Sequence, residues 1–303
     1  MSILMPGRKR VSISRDAAVE DGVYHVTQRA PGREMMFIED ADYLFFLKLL
    51  KKTIRKVPLD IYAFALMPNH VHLMLKATPK DMGAAMKTLF QSYAQAFNKK
   101  YERKGHVVCG TYRARYCDTA AYFLNISLYI HLNPLKARLV DDVYAYRWTS
   151  LSCYSNKSIV SFVNPRPVLN LFENVADPYL TYKSLINDIR AVRYRNILND
   201  KHAMRSFNRD VTKLFAVMRG RYGFSPAVLK MIDDDMMIVR LRQKRENNAH
   251  FKDKKAFKYC IEQLQSQGYT IREIATILNI DRTSVYRLLS PVELATGGLL
   301  PAR

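Results

Sequence analysis

The alternation of apolar and polar residues predicts that the chain begins with a strand followed by a helix. Residues 22–30 alternate well enough to form a strand, and residues 42–56 place apolar side chains at helical spacing with basic residues on the other face. Residues 60–66 and 70–76 are both apolar and aromatic, and the Met-Pro-Asn sequence between them contains a Pro-Asn turn signal. We therefore expect these two stretches to pair as a hairpin.

The elements that follow complete a small sheet. Residues 80–104 repeat as a long helix, and residues 106–117 have strand character. Asp118 is placed to cap a further helix that runs toward Asn133, where Pro134 limits its continuation. The order βαββαβα predicts an α+β fold: a ferredoxin-like βαββαβ domain with one extra helix, in which helices cover one face of an antiparallel sheet.

The second half of the chain has helical patterns without recognisable chemistry. Turn-forming residues and prolines accumulate in residues 155–167, and mixed helical patterns then run over residues 169–245. A last helical unit covers residues 256–289. These shifts predict an α+β domain, a linker and helical region of unassigned role, and a C-terminal domain, at residues 1–154, 155–250 and 251–295.

The balance of charge indicates a polyanionic partner. The 303 residues include 48 Lys and Arg against 27 Asp and Glu, a formal net charge of +21. Residues 1–150 carry 23 basic and 13 acidic side chains, and residues 151–303 carry 25 and 14, so the excess is not confined to a tail. A nucleic acid is the partner that fits best, because a charge spread over both halves does not resemble one membrane-binding helix.

Other classes of protein are disfavoured. The sequence contains no apolar run of the roughly 18 residues needed to cross a bilayer, and no apolar stretch follows the basic N-terminal residues as in a signal peptide. The four cysteines show neither the spacing of a zinc site nor the density of a disulfide framework. We therefore expect a cytoplasmic protein with reduced cysteines and no membrane partner.

Two histidines in the second hairpin strand are candidate metal ligands. His70 and His72 are two residues apart, so both imidazoles project from one face of the strand, while Val71, Leu73 and Leu75 point to the other. Neutral imidazoles suit first-row divalent ions, and an added oxygen ligand and water would give an open site for a phosphate oxygen. Ordinary surface or core histidines show the same spacing, so the pair alone leaves both interpretations open.

A tyrosine and an asparagine share one face of the following helix. Tyr129 and Asn133 are four residues apart, which brings a phenol and an amide to the same side of a helix. A tyrosine on an apolar helical face is more often a core residue than a catalytic one, and the chain contains 19 tyrosines. Tyr129 by itself therefore does not establish a nucleophile.

The order of several segments resembles one family. LMPNHVHLML, then SLYIHLNPLKARLV, then YRWTSLSCY are similar to the single-tyrosine HUH transposases of bacteria, most closely to the REP-associated tyrosine transposases. The supporting segments are GVYHVTQRA, QSYAQAFNKKYER and the Gly-Thr-Tyr-Arg sequence that starts at Gly110. All lie in the family's order across about residues 8–154, half of the chain.

The resemblance implies a site and a reaction. In that family the two histidines bind Mg²⁺ or Mn²⁺, and a polar side chain four residues after the catalytic tyrosine completes the metal site. These roles fall on His70, His72, Asn133 and, for the nucleophile, Tyr129. Insertion-sequence members commonly have glutamine at the position of Asn133, whereas asparagine is compatible with the REP-associated branch.

The implied reaction is cleavage and rejoining of single-stranded DNA through a 5′-phosphotyrosine intermediate, at hairpins of a palindromic repeat. A phenol with a pKa of about 10 is a poor nucleophile at neutral pH unless its ionisation and the charge on the phosphate are both assisted. Insertion-sequence relatives act as dimers that share active sites, and the REP-associated branch includes monomers, so a monomer is favoured over a dimer. Such a bacterial enzyme would be associated with the nucleoid.

Basic residues near these motifs are candidate DNA contacts. Arg113 and Arg115 are two residues apart on a predicted strand and are placed to meet backbone phosphates. Lys99, Lys100, Arg103 and Lys104 end the preceding helix, and a merely solvated basic face is an equal alternative for all of them. His131 is expected to point away from the Tyr129 face. His25, on the first strand, is a candidate for a position near the site, with its role open and packing in the core or sheet favoured.

The C-terminal unit predicts a helix-turn-helix. Residues 268–287 form two helical halves around a turn near Asn279, with a capping box at Thr270 and Glu273 and a cap at Asp281. The alternative is a helical hairpin that merely closes the fold. As a helix-turn-helix it would bind double-stranded DNA through the second helix, whose candidate contacts are Arg282, Thr283, Ser284 and Arg287.

Three functions therefore stand in competition. The first is a metal-dependent DNA transposase and single-stranded DNA endonuclease, with Mg²⁺ or Mn²⁺ and single-stranded or hairpin DNA as partners. The second is a non-catalytic transcriptional regulator that binds DNA through the helix-turn-helix. The third is a metal hydrolase whose nucleophile is water, which would leave no covalent intermediate.

Overall fold

The computed structural model describes residues 21–32, 34–117, 120–190, 203–246, 254–266 and 270–289. These residues belong to two compact units, which divide between Ile232 and Asp233. The described part of residues 155–232 thus lies in the same unit as the N-terminal sheet. The predicted domain boundaries at residues 154 and 250 stay predictions.

Within the described residues, four strands form one antiparallel sheet in the order β2-β3-β1-β4. This strand order and the alternation of strands with helices confirm the predicted ferredoxin-like arrangement. The strands are β1 (Gly22–Arg29), β2 (Asp60–Met67), β3 (His70–Ala77) and β4 (Arg113–Tyr116).

The last strand is much shorter than the predicted stretch of residues 106–117. Gly105 and Gly110 adopt φ angles of 105° and 62°, which extended backbone does not allow. The chain between them approaches the sheet through one hydrogen bond, from the Cys109 amide to the Arg29 carbonyl. The chain forms a ladder with β1 only after the second glycine. The residues before that glycine therefore do not form the strand that the sequence predicts.

The first two helices begin earlier and end earlier than predicted. Helix α1 spans Asp40–Ile54, and helix α2 spans Pro79–Lys100. The N-terminus of α2 is capped by the Thr78 hydroxyl, which accepts a hydrogen bond from the Asp81 amide. Asp42 accepts hydrogen bonds from the amides of Ile38 and Glu39, which fixes the start of α1.

The buried carboxylate of Asp42 also fixes the end of α2. The Lys100 ammonium lies 2.5 Å and the Tyr101 hydroxyl 2.8 Å from its oxygens. The backbone then reaches a left-handed conformation at Glu102, with φ of 50°, so the helix does not continue to residue 104. One acidic side chain therefore joins the first turn of α1 to the last turn of α2.

Helix α3 spans Ala120–Lys136 and carries Pro134 inside its last turn. The predicted end at Asn133 is therefore wrong by one turn. Proline removes only its own amide, and the next donors still bond back, from Ala137 to the Asn133 carbonyl and from Leu139 to the Pro134 carbonyl. The predicted cap, Asp118, lies outside the described residues.

The sheet is covered on both faces, which corrects the expectation of helices on one face. Helix α3 packs against β2 and β3, and α1 packs against α2. Along β3 both the even-numbered and the odd-numbered residues are buried, apart from Lys76. The histidines on this strand are consequently interior residues.

Helices that follow α3 along the chain complete the core of the first unit. Tyr182, Leu185, Ile186 and Ile189 of α6 are fully buried, and α6 packs on α3, α4 and α5. The helices after α3 that the first unit contains or begins are α4 (Ser152–Ser155), α5 (Arg166–Leu169), α6 (Pro178–Arg190), α7 (Ala203–Val217) and α8 (Pro226–Glu246).

The second unit has a small apolar core of its own. Its helices are α9 (Lys254–Ser266), α10 (Ile271–Leu278) and α11 (Arg282–Leu289), together with the end of α8. The buried side chains that meet there are Leu241, Phe257, Cys260, Ile261, Leu264, Ile274, Ala275, Leu278, Ile280 and Val285. None of the helices in the described residues is long and apolar enough to span a membrane.

Candidate active site

The alternation of β3 places His70 and His72 side by side on the face covered by α3. Their rings lie 4.8 Å apart between centroids and are nearly perpendicular, and each side chain is only 5% exposed. The prediction that the two imidazoles share one face is confirmed by this geometry. Their burial was not expected and follows from the helix above them.

Helix α3 brings Tyr129 and Asn133 to the two histidines. The amide nitrogen of Asn133 lies 3.1 Å from His72 Nε2, and the Tyr129 ring stands edge-on to the His72 ring at 5.5 Å between centroids. The i, i+4 spacing on the helix and the i, i+2 spacing on the strand therefore converge on one point. All four residues singled out from the sequence meet there.

The hydrogen bonds fix which imidazole nitrogens carry protons. His70 Nδ1 lies 2.7 Å from Asn69 Oδ1, which can only accept, so His70 is protonated at Nδ1. His70 Nε2 then carries a free lone pair. This nitrogen is buried and has no hydrogen-bond partner among the described residues. The Asn133 amide donates to His72 Nε2, so this nitrogen is also a lone pair.

Both imidazoles are neutral at physiological pH. Burial lowers the pKa of His70 to about 4, helped by the charge of Arg29 and opposed by the Asn133 side chain. Burial also holds the pKa of His72 well below its ordinary value, and the neighbouring His70 and His25 add to the shift. Two neutral imidazoles with inward lone pairs are the form in which histidine binds a metal ion.

The donor set fits a divalent ion with an open coordination sphere. No three His, Cys, Asp or Glu side chains of the described residues come together as a metal site, so the two histidines would need a different third ligand. Rotation of the Asn133 amide by a half-turn would present its oxygen to the same point. The remaining positions of an ion held there would be filled by water or a phosphate.

Tyr129 is buried beside these groups. Its side chain is 5% exposed, and burial raises the pKa of its phenol to about 12, while the hydrogen bond with Asn133 acts in the opposite direction. A phenol in this state is protonated at neutral pH. Attack on a phosphate therefore requires a change in its surroundings that stabilises the phenolate.

These residues lie in a part of the chain that matches the model of a known protein family. The family model described as "Transposase IS200 like" matches residues 18–133, which include His70, His72, Tyr129 and Asn133. The matched stretch is less than half of the chain, and over it the sequence is similar to IS200-like transposases. The expected resemblance to single-tyrosine transposases is thereby confirmed over this part of the chain.

One solved structure is similar to part of the chain. It is described as "Structure of the REP associates tyrosine transposase bound to a REP hairpin", with 15% sequence identity and a TM-score of 0.43. The match covers 50% of this chain and 90% of that one. No curated protein matches the sequence.

Three arginines line the exposed margin of the site, in the stretch of chain that matches the transposase family. Arg113 and Arg115 are exposed on β4, where Arg115 pairs with His25 and Arg113 with Thr27, on the same face as the histidines. Arg29 is exposed at the end of β1 and pairs with His70. Arg29 was not among the residues predicted from the sequence. Its odd-numbered position on β1 places it on the same face of the strand as His25, which is the signal that could have identified it.

Other basic residues of the first unit serve structural roles. Lys100 forms ion pairs with Glu39 and Asp42, and Arg103 pairs with Glu34 at 2.5 Å. These two side chains were expected to offer charge to DNA together with Lys99 and Lys104. Their acidic partners neutralise them locally, which favours the structural interpretation for this pair.

Two residues outside the predicted set surround Tyr129. The Phe207 ring of α7 stands edge-on to Tyr129 at 5.4 Å, and the buried ammonium of Lys136 lies 3.7 Å from the Phe207 centroid and 5.3 Å from the Tyr129 centroid. Burial holds the pKa of Lys136 well below its ordinary value. Helix α7 thus covers the Tyr129 ring through Phe207.

His131 lies away from the site, as the helical spacing predicts. Its Nδ1 is 2.8 Å from the Tyr182 hydroxyl and its Nε2 is 2.8 Å from the Ser150 hydroxyl, so it connects α3 to α6 and to the segment after Trp148. Burial lowers its pKa from 6.5 to about 3. The residue is a fully buried neutral histidine with a structural role.

Acidification is expected to reveal this role. Because the folded-state pKa of His131 is depressed, the unfolded chain binds the proton first, and stability is lost as the pH falls below 6.5, by about 2 kcal/mol at pH 5. His131→Gln is expected to be less stable than wild type at pH 7.5 by about 1–3 kcal/mol. That difference should narrow at pH 5 in urea unfolding, since the variant lacks the titrating group. The control is His106→Gln, which replaces an exposed histidine. If the difference in stability between wild type and His131→Gln does not depend on pH, His131 does not titrate in this way.

The second unit contains the two helices predicted as a helix-turn-helix. Thr270 and Glu273 form the predicted capping box of α10, and Asn279 ends that helix in a left-handed conformation, with φ of 53°. Arg282, Thr283 and Arg287 are exposed on α11. The DNA-binding assignment of this pair of helices stays a prediction.

Ser284 must leave the set of candidate DNA contacts. It is 4% exposed, its amide donates to Asp281 Oδ1, and its hydroxyl donates to Asp281 Oδ2. The hydroxyl closes the cap of α11, which leaves it unable to reach a base edge. The sequence pattern correctly predicts Asp281 as the cap residue. It does not show that the hydroxyl of Ser284 is bonded to that cap.

Proposed function

We propose that the transposase domain is a metal-dependent endonuclease and strand transferase for single-stranded DNA, with Tyr129 as nucleophile. The observation that carries the proposal is the convergence of a phenol, an amide and two inward imidazole lone pairs within one buried cluster. A purely structural cluster would pair its buried polar atoms, whereas His70 Nε2 has no partner among the described residues. The family match supports a transposase activity.

The proposed reaction conserves the energy of the phosphodiester bond. Tyr129 releases its phenolic proton to solvent as Oη attacks the scissile phosphorus. The bond from phosphorus to the 3′-oxygen breaks, and the 3′-oxygen takes a proton from solvent and leaves as a free 3′-hydroxyl. The protein remains joined to the 5′-phosphate of the DNA. Attack by a 3′-hydroxyl on this phosphotyrosine releases Tyr129 and reseals the same junction or a new one, so ATP is not needed.

The residues of the chain would each assist one part of this step. His70 Nε2, His72 Nε2 and the Asn133 oxygen would hold Mg²⁺ or Mn²⁺, and the ion would supply positive charge to the scissile phosphate. The Asn133 amide would also lower the pKa of the Tyr129 phenol, which is the direction that ionisation of a nucleophile requires. The close packing of α3 on β3 keeps these groups in position.

The site supports action as a monomer. His70, His72, Tyr129 and Asn133 all come from one chain and meet without a partner subunit. Relatives that act as dimers combine the histidines of one subunit with the tyrosine of the other, which this arrangement does not need. A monomeric enzyme acting on hairpins of a palindromic repeat, as the sequence resemblance implies, is the form we propose.

The arginines at the margin of the site are proposed to bind the DNA backbone. Replacing Arg113 and Arg115 together by alanine should weaken binding of a single-stranded oligonucleotide, measured without metal. The slope of log affinity against log salt should fall by about 0.7 for each phosphate that the variant no longer binds. Arg103→Ala, which breaks an intramolecular ion pair, serves as the control and should leave the slope unchanged. An unchanged slope in the double variant would remove these arginines from the interface.

A covalent adduct is the product that distinguishes the proposal from its rivals. Wild-type protein is incubated with a single-stranded DNA hairpin and Mg²⁺ or Mn²⁺, and denaturing gels are examined for a protein–DNA species. Cleavage together with an adduct supports the proposal. Cleavage without an adduct favours the metal hydrolase, and binding with neither product favours a regulator that uses the exposed face of α11 on double-stranded DNA.

A further inference from the structure

We infer that His25 is a positioning residue that holds His72 in the tautomer able to bind a metal ion. His25 lies on β1, next to β3, where it pairs with Met74 while Thr27 pairs with His72. The two histidines therefore occupy diagonal positions on the same face. His25 Nε2 lies 3.0 Å from His72 Nδ1, and the two rings are stacked at 5.2 Å between centroids.

Only one placement of the shared proton is compatible with a metal ligand. If His25 Nε2 donated to His72 Nδ1, the neutral His72 ring would carry its proton on Nε2 and present no lone pair to the site. If His72 Nδ1 donates to His25 Nε2, the lone pair remains on His72 Nε2. The second placement is the one that agrees with the Asn133 amide, which donates to His72 Nε2 at 3.1 Å.

The hydrogen bonds thus run in one direction through the site, from the Asn133 amide to His72 and from His72 to His25. Both histidines are buried, at 5% and 9% exposed, so water cannot readily replace His25 as the acceptor. Partners of this kind orient ligating imidazoles and fix their tautomers in other metal sites. In His70 the same function is performed by the neighbouring Asn69 oxygen.

The inference rests on the proposed metal site, and two variants of His25 separate it from simple packing. His25→Leu retains an apolar body of similar reach and cannot accept a hydrogen bond. His25→Gln offers a carbonyl oxygen that can accept from His72 Nδ1. Packing against the Tyr129 ring, which lies 5.9 Å from His25, is altered in both variants.

Manganese binding to the full chain in the absence of DNA is the first measurement, by calorimetry or electron paramagnetic resonance. His25→Leu is expected to bind Mn²⁺ about 10–100-fold more weakly than wild type, whereas His25→Gln should recover most of the affinity. His25→Leu with wild-type affinity would overturn the inference, and so would equal losses in the two variants. If the wild-type protein itself binds no Mn²⁺, the proposed metal site is wrong. That result can be told apart from a failure of the inference about His25, in which wild type binds Mn²⁺ and the variants do not differ as expected.

The tautomer of His72 is the second measurement and does not depend on metal. Long-range proton–nitrogen NMR spectra of the metal-free protein should show His72 protonated at Nδ1 in wild type and in His25→Gln. In His25→Leu the signal should shift toward protonation at Nε2. A His72 ring protonated at Nε2 in wild type would contradict the inference. A melting curve for each variant shows whether the protein is folded when these spectra are recorded.

Discussion

Replacing Tyr129 by phenylalanine is expected to abolish the covalent protein–DNA adduct, with a loss of cleavage on the order of 10³-fold or more. The change removes the one oxygen that the proposed reaction needs and leaves the ring in place against His72 and Phe207. Only a hydroxyl is removed and the ring packing is kept, so stability should change by no more than about 1 kcal/mol. The adduct is measured on denaturing gels and the binding of hairpin DNA by anisotropy.

The matched control is Tyr122→Phe, on the same helix. The Tyr122 hydroxyl accepts a hydrogen bond from Arg115 at 3.4 Å and is not part of the proposed chemistry. This variant should form the adduct at nearly the wild-type rate. An adduct that persists in Tyr129→Phe, or one that disappears equally in both variants, would remove Tyr129 from the role of nucleophile.

Replacing His70 or His72 by alanine should remove metal binding and cleavage together. His70 Nε2 and His72 Nε2 are the two unprotonated imidazole nitrogens of the site, so loss of either ring leaves at most one nitrogen ligand. We expect the affinity for Mn²⁺ to fall by more than about 100-fold, beyond the loss typical of residues that only support a ligand. Binding of Mn²⁺ and adduct formation are measured on the same preparations.

The exposed His106 provides the control for these two variants. His106→Ala should retain both metal affinity and adduct formation. Melting temperatures in the absence of metal show whether removal of a buried ring has affected folding. Cleavage that continues at the wild-type rate in either His70→Ala or His72→Ala would mean that these histidines do not hold the catalytic metal.

The parts of the site that the sequence predicts are those set by local periodicity. His70 and His72 share a face because a strand alternates, and Tyr129 and Asn133 share a face because a helix repeats every 3.6 residues. The hairpin and the capping box at Thr270 follow from signals of the same range. Where two local signals conflict, the structure differs from the prediction. The glycines at positions 105 and 110 shorten the last strand, although the residues around them have strand character.

The contacts that the sequence did not predict depend on pairing between distant segments. His25 reaches His72 only through the register of β1 against β3, which no short pattern determines. Phe207 covers Tyr129 from a helix 78 positions further along the chain, in a region that showed no chemistry in the sequence. The burial of His70 and His72 likewise depends on where α3 packs, since a period-two pattern fixes the face and leaves open what covers it.

Identification of the residue joined to DNA tests the central proposal most directly. The adduct formed by wild-type protein on hairpin DNA is digested with nuclease and trypsin, and the peptide of residues 116–136 is sequenced by tandem mass spectrometry. This peptide contains Tyr116, Tyr122 and Tyr129, so fragmentation locates the modified side chain within it. We predict a 5′-phosphonucleotide on Tyr129 alone; a nucleotide on another residue, or cleaved DNA with no modified peptide, would contradict the mechanism.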